Sequence, residues 1–294
     1  MIDLTPEVVR WVESAVGSGA RVLSIDPLPP SSTEQHVVVL GTAGGSVRVL
    51  TRRYHDRERL STDFAYDPSN EAAALAVLAS TDVPAPRLLA ADLDGTVCGS
   101  PLLLESFLTG LPAWDPDDKE AYLRASAEVL VRIHAVHVPE RSPVMAYRPY
   151  QDHVGGALPR GTARRALWER VLEEIALPAP PGPSSFIHRD YHPGNALWDG
   201  SSIGVVDWST AALGPPGIDL ARMRQNLAGR HGSATADRFA ELYVTTGGDP
   251  LARHPYWDLL DAAELADDEN MVAPGEGELE RFEDYVEGVL SEVT

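Results

Sequence analysis

A single cysteine, Cys98, stands in 294 residues, which excludes an internal disulfide framework and any zinc site built on several thiolates. No run of about 18 apolar residues occurs, so no transmembrane helix is expected. The start, Met1-Ile-Asp-Leu-Thr-Pro-Glu7, lacks the basic residues and the apolar stretch of a secretory leader, so the cytoplasm is the expected compartment. Positive charge is scarce: 24 Lys and Arg face 44 Asp and Glu, for a net charge of −20. Nucleic acid and an anionic membrane are therefore not expected partners, because both need a basic face. A cationic small molecule is permitted, and solubility alone accounts equally well for the acidity. Hydrophobic content of 44% and charged content of 23% fit one large domain or two lobes of a soluble globular protein.

What is present centres on residues 186–208. Phe186-Ile-His-Arg-Asp-Tyr-His-Pro-Gly-Asn195 leads through a turn to Ile203-Gly-Val-Val-Asp207-Trp. Two apolar runs flank a loop dense in functional side chains. An Asp within His188-Arg189-Asp190, an Asn five residues on and a further Asp after a β-branched run have the spacing of a phosphoryl-transfer loop. The chemistry calls for those types. Asp190 can accept a hydroxyl proton, and Asn195 and Asp207 offer hard oxygen donors suited to Mg²⁺. The competing account is a polar surface turn, for which Pro193-Gly194 alone would serve.

The rest of the chain reads as follows. Thr5 caps a helix to Gly17, with Pro6 at its first position. Val22–Ile25, His36–Leu40 and Ser46–Arg53 are strands. Residues 68–80 form a helix, 87–91 a strand, and Leu102–Leu108 another. Asp115 caps the next helix, with Pro116 behind it. Residues 139–161 have no clear period, and 162–176 are helical. Helices are expected near 219–228, 234–246, 256–266 and 279–293. The last carries Phe282, Tyr285, Val286, Val289, Leu290 and Val293 on one face, with Glu276 to Glu287 as solvated surface. His134 is expected to be a packed core residue.

The stretches HRDYHPGN and VVDW resemble the aminoglycoside phosphotransferase family, a small-molecule branch of the protein-kinase-like fold. The likeness can be followed from about Thr5 to Trp257. Arg189 departs from it, since the family carries a small residue there. The resemblance implies an α+β, bilobal protein-kinase-like fold. A small N-terminal antiparallel-sheet lobe would span residues 1–107, and a larger, mainly helical C-terminal lobe residues 108–294. It places Arg52 where that fold carries a phosphate-binding lysine, with Arg53 as its rival in register, and Glu71 as its ion-pair partner. The competing accounts are a solvated edge residue for Arg52 and a first-turn acid for Glu71. Backbone groups from Glu105 to Phe107 would meet the nucleobase. His188 and Asp219 would support the catalytic loop.

Two absences qualify that likeness. Residues 27–36 contain no glycine where a protein kinase has a glycine-rich loop, so the hydroxyls of Ser31, Ser32 and Thr33 are the available substitutes. The path from Asp207 to Asp219 is too short for a regulated activation loop, and no Ala-Pro-Glu segment follows. The resemblance implies an ATP- or GTP- and Mg²⁺-dependent O-phosphotransferase, as monomer or homodimer. Its acceptor would be a hydroxylated small molecule, cationic or neutral, with an antibiotic favoured. The alternatives are a metabolite kinase acting on choline, homoserine, an amino sugar or a thiosugar, and a nucleotide-binding pseudoenzyme; a protein kinase is disfavoured. Asp258 and Asp261, in an acidic third with Glu264, Asp267, Asp268 and Glu269, are candidate acceptor contacts or a solvated helix face.

Overall fold

Alternating β-branched residues and alanine-rich runs build the first half of the chain. A computed structural model describes residues 4–29, 31–149, 158, 162–266 and 277–293. Its contacts divide the chain into two units: residues 1–109 with 139–144 and 205–210, and the remainder.

In the first unit, α1 (Pro6–Val16) is followed by β1 (Arg21–Pro27), β2 (Glu34–Thr42), β3 (Gly45–Arg53), the short α2 (Arg59–Thr62), α3 (Pro68–Leu78), β4 (Leu88–Asp92) and β5 (Leu102–Ser106). The five strands form one sheet in the order β1-β2-β3-β5-β4, with every neighbouring pair antiparallel. Val8 and Val12 of α1 bury against Val38, Leu40, Val49, Leu102 and Leu104. Leu103, between the last two, points the other way and packs with Tyr54 and Tyr66. Burying a leucine completely stabilises by roughly 1.5–3 kcal/mol, and all three β5 leucines are fully buried.

The β3–β5 register decides where the arginines go. Thr51 opposes Leu104 and Arg53 opposes Leu102, whereas Arg52 opposes Leu103 and Leu50 opposes Glu105. Directly opposed residues share a face. Arg53 therefore lies on the α1 face, and Arg52 and Glu105 lie on the opposite one. β3 is internal to the sheet and Arg52 is buried, so Arg52 is not a solvated edge residue.

The second unit contains β6 (Leu111–Pro112), α4 (Lys119–His134), β7 (Met145–Ala146), α5 (Arg165–Ile175), β8 (Ser185–Ile187), β9 (Ala196–Trp198), β10 (Ile203–Val205), β11 (Ala212–Gly214), α6 (Gly217–His231), α7 (Ser233–Thr245), α8 (Pro255–Ala266) and α9 (Glu278–Val293). The last residue of β10 opens the 205–210 stretch that belongs with the first unit. A 3-10 turn over Pro250–Arg253 precedes α8. Helix α6 is buried over most of its length, and α7, α8 and α9 pack around it. No helix among the described residues is long and apolar enough to cross a membrane.

Several expectations are corrected here. The cap of α4 is Asp118, whose carboxylate accepts from Ala121 N at 3.0 Å, while Asp115 is drawn instead into an ion pair with Arg230. The stretch after residue 139 is not wholly irregular: β7 pairs parallel with β11. On α9, Glu283 is buried, accepting from Trp168 Nε1 at 2.9 Å, so the surface there is only partly solvated.

Candidate active site

In the first unit, α3 opens with Asp67 as its cap and Glu71 in its first turn. Glu71 is far more than a dipole-favoured acid. It is buried, and its carboxylate takes three groups: Tyr54 Oη at 2.7 Å, Trp208 N at 3.1 Å, and the Arg52 guanidinium at 3.3 Å. The same guanidinium nitrogen reaches Asp207 Oδ1 at 2.6 Å. Glu105, buried on β5, completes the group on this face. Burial works against the charge on Arg52, but Asp207 and Glu71, then Tyr54 and Glu105, outweigh it and hold the cation. Glu105 goes the other way. Burial first, then the neighbouring Glu71 charge, push its carboxyl up to about 8 against the weaker pull of Arg52. One guanidinium cannot balance three ionised carboxylates in a dry setting, so the carboxyl without a direct Arg52 contact carries the proton.

Arg53 stands apart, 3.9 Å from Glu34. Ser32 is exposed, whereas the Ser31 hydroxyl donates to Thr33 O at 2.8 Å and Thr33 is buried. Phe107 is half-buried beneath the Arg48 guanidinium, 4.5 Å from its ring centre. The backbone N–H of Ser106 is taken by Arg87 O at 2.9 Å.

In the second unit, the loop after β8 is fastened by Asp219, at the start of α6. The fully buried carboxylate accepts from His188 N at 2.8 Å and Arg189 N at 2.5 Å, and His134 Nε2 lies 3.1 Å away. His134 is thus packed as expected, between Asp219 and the Tyr243 hydroxyl. Arg189 itself is buried, with its guanidinium 5.3 Å from the Tyr147 ring centre. Among the described residues, the non-glycine positions with positive φ are Arg189 (71°) and Asp207 (65°). Left-handed backbone at such residues is strained and persists where the surroundings enforce it. Both residues lie within the predicted phosphoryl-transfer stretch.

Asp190 follows, with its side chain 35% exposed. Asn195 Nδ2 donates to its backbone oxygen at 3.0 Å and to Oδ2 at 3.1 Å. His192 Nε2 lies 3.5 Å from Oδ2 and Arg222 Nε 3.7 Å from Oδ1. Burial alone would raise the Asp190 carboxyl. His192, Arg222 and His188 together overcome that and hold it well below the usual carboxylate range, so it is ionised at neutral pH.

Arg222 was missed by the sequence reading, although its spacing offered a signal. It lies three residues after Asp219 on α6, hence on the same helix face. It is braced by Asp261 of α8 at 3.1 Å. One step along that seam, Arg224 pairs with Asp258, which also accepts from Tyr285 Oη. Both aspartates are buried, so this is not a solvated face. Nor are they presented as acceptor contacts, because arginines of α6 already occupy them. Asp267, Asp268, Glu269 and Glu276 lie outside the described residues.

Asn195 in the second unit and Asp207 in the first each keep an oxygen of the kind that Mg²⁺ takes. Asn195 spends its amide nitrogen on Asp190, which leaves the amide oxygen as its donor, and Asp207 carries a carboxylate 32% exposed. No group of three His, Cys, Asp or Glu among the described residues forms a ready metal cluster. Mg²⁺ does not need one, since it is typically held by one or two side-chain oxygens together with phosphates and water.

Known proteins resemble the chain at several levels. The mouse acyl-CoA dehydrogenase family member 10 is 26% identical over 163 residues, covering 49% of this chain and 15% of that protein. The Pseudomonas aeruginosa N-acetylmuramate/N-acetylglucosamine kinase is 28% identical over 157 residues, covering 49% of this chain and 45% of that kinase. The chain therefore matches less than half the length of either curated relative. A thermostable variant of aminoglycoside phosphotransferase APH(4)-Ia, solved with AMP-PNP and hygromycin B, superposes with a TM-score of 0.64 at 15% identity, covering 98% of each chain. At that identity the likeness shows the fold, which is the protein-kinase-like α+β arrangement expected from the sequence. The model of the phosphotransferase enzyme family (APH) matches residues 27–256, and the chain belongs to that family.

Proposed function

We propose that the protein transfers the γ-phosphoryl group of ATP or GTP to a hydroxyl of a small molecule. The observation that carries this reading is Asp190: an ionised, partly exposed carboxylate on a strained loop, with a neutral amide, an imidazole and a guanidinium around it. Asp190 accepts the acceptor's hydroxyl proton and aims its oxygen at the γ-phosphorus. The new O–P bond forms as the bond to the β–γ bridging oxygen breaks, and the nucleoside diphosphate leaves with that electron pair. Asn195 and Asp207 would hold Mg²⁺, which neutralises phosphate charge when bound. Arg52, braced by Glu71, would bind the phosphates, and backbone groups from Glu105 to Phe107 the base. Ser32 is a further nucleotide contact in this reading. Asp219 holds the loop through the N–H groups of His188 and Arg189.

The acceptor we favour is a hydroxylated natural product such as an antibiotic, and the amino-sugar kinase among the relatives makes an amino sugar the next class to test. Binding of a cationic acceptor by Asp258 and Asp261 has no place in this reading, because both are buried and Arg224 and Arg222 already occupy them. A nucleoside triphosphate donor makes the cytoplasm the proposed compartment. The test is transfer of labelled phosphate from ATP and GTP over a panel of both acceptor classes. Asp190→Asn should lower kcat by about a thousandfold or more while nucleotide binding persists. Equal transfer by wild type and variant would remove Asp190 from the chemistry.

A further inference from the structure

The imidazole beside Asp190 is fixed in one form. His192 precedes Pro193 and opens a four-residue turn, which Asn195 N closes by donating to His192 O at 2.9 Å. The side chain closes the same turn a second time: Gly194 N donates to His192 Nδ1 at 3.0 Å. A ring nitrogen that accepts a hydrogen bond carries no proton, so the ring is neutral with its proton on Nε2. Nε2 lies 3.5 Å from Asp190 Oδ2, a gap of the kind that catalytic hydrogen bonds close once the reactants are bound. Gly194 leaves room for this arrangement: a Cβ there would sit 2.5 Å from His192 Cε1 and 2.9 Å from Nδ1. The ring also lies against Trp114, with centres 5.8 Å apart and planes tilted by 32°.

The two oxygens of Asp190 are then unlike. Oδ2 receives Asn195 Nδ2 at 3.1 Å and faces His192 Nε2. Oδ1 faces Arg222 Nε at 3.7 Å, beyond hydrogen-bond length, and no nearer donor among the described residues. Hydrogen bonds to a carboxylate oxygen lower its affinity for a proton, so an incoming proton goes to Oδ1. The ring does not take that proton onward, because its bare nitrogen is turned to Gly194 and not to Asp190.

We propose that His192 is a positioning residue for phosphoryl transfer: a neutral imidazole, protonated on Nε2, that holds Oδ2 of Asp190 and so presents Oδ1 to the acceptor's hydroxyl. This rests on the phosphotransfer reading and assigns its proton to one atom. The acceptor's O–H bond breaks, its proton goes to Oδ1, and the freed electron pair forms the bond to phosphorus as the nucleoside diphosphate leaves.

Two variants separate the ring's two contacts. His192→Asn keeps an acceptor for Gly194 N, since asparagine bonds the backbone two residues on, but is too short to reach Asp190. His192→Gln carries an N–H at the reach of Nε2 and loses the turn acceptor. Turnover should therefore follow the donor, and stability the acceptor. His192→Asn should lower kcat about tenfold or more, with both KM values within about twofold. His192→Gln should recover most of that kcat while unfolding at a lower temperature than His192→Asn. If kcat and stability rank the two variants in the same order, or the loss falls on KM, His192 is a turn-packing residue and the proposal is overturned. NMR of the full chain carrying ¹⁵N-labelled histidine reads the ring directly, with His192 assigned by its absence from His192→Asn. At neutral pH it should show a protonated Nε2 and a bare Nδ1; the opposite tautomer or a doubly protonated ring would also overturn the proposal. No transfer by the wild type to any acceptor would sink the phosphotransfer reading together with this assignment, whereas transfer with the wrong tautomer or the wrong order would sink the assignment alone.

Discussion

Around Arg52 one guanidinium faces three carboxyl groups, Glu71, Asp207 and Glu105; around Asp190 one carboxylate faces Arg222 and His192. The first unit thus holds a cation amid acids, and the second an anion between a guanidinium and an imidazole. Burial penalises both, and in each case neighbours of opposite sign secure the charged state. The excess is managed differently. In the first unit the surplus carboxyl, Glu105, is held as the neutral acid, pushed up to about 8. In the second, Asp261 behind Arg222 is pushed to the same value, chiefly by burial and against the pull of Arg222. A polyphosphate-binding cation and a proton-accepting carboxylate need opposite surroundings. The charges are arranged accordingly, and the acids in excess are stored behind the functional group.

After Asp190 itself, removing the cation from the first cluster should have the largest effect. Arg52→Ala leaves Glu71 buried opposite Asp207 with nothing between them, and loss of one partner of a buried pair typically costs about 3–5 kcal/mol. Nucleotide kcat/KM should fall about a hundredfold or more. Arg52→Lys keeps the charge but loses the fork, so it should fold better and remain impaired. Arg53→Ala, buried on the opposite sheet face and apart from the Arg52 cluster, should change nucleotide kcat/KM less than about threefold, as changes without shared partners usually do. A larger loss at Arg53 would mean that the β3 register does not set the phosphate contact.

The mirror experiment in the second unit is smaller, because Arg222 touches Asp190 only at 3.7 Å and acts by positioning it. Arg222→Ala should lower kcat by about ten- to thirtyfold, with both KM values within about twofold, as expected for a contact that matters in the transition state more than in binding. Arg222→Lys should recover part of the loss. Equal losses in kcat and stability for alanine and lysine would make Arg222 a packing residue alone.

Much of this was legible from local sequence, and the limits have physical causes. The loop residues Asp190, Asn195 and Asp207 have fixed spacing, and Asp219 opens a helix a set distance on, so short-range pattern finds them. The alternation along β3 left Arg52 and Arg53 open, because register is fixed only by pairing with β5, some fifty residues away. Tyr54 and Trp208 give no local sign that they bond Glu71. Asp258 and Asp261 read as acceptor contacts or a solvated helix face because acids on a helix are usually wet. Only the packing of α8 on α6 reveals the arginines opposite. Asp115 looked like a cap because Pro116 follows it, but Arg230 competes for its carboxylate.

Glu105 gives the mildest effect on turnover and the clearest view of how the excess acid is stored. Its Oε1 is buried with no hydrogen bond, and its carboxyl is pushed from 4.5 up to about 8. The folded chain then binds one more proton at this residue than the unfolded chain between those two values. Stability must therefore fall as pH rises through that window and level off above it. Glu105→Gln keeps the shape and removes the proton exchange. Relative to the variant, the wild type should lose roughly 2–4 kcal/mol between pH 5 and pH 9 in denaturant unfolding. Turnover at neutral pH should change little, because Glu105 is already uncharged there. The same comparison with Asp261→Asn should also flatten the slope. It should disturb turnover more, since Arg222 would lose the charge of its brace at Asp261. If Glu105→Gln leaves the pH slope untouched, Glu105 is ionised in the folded protein, and the Arg52 cluster carries a net negative charge that some further cation must offset.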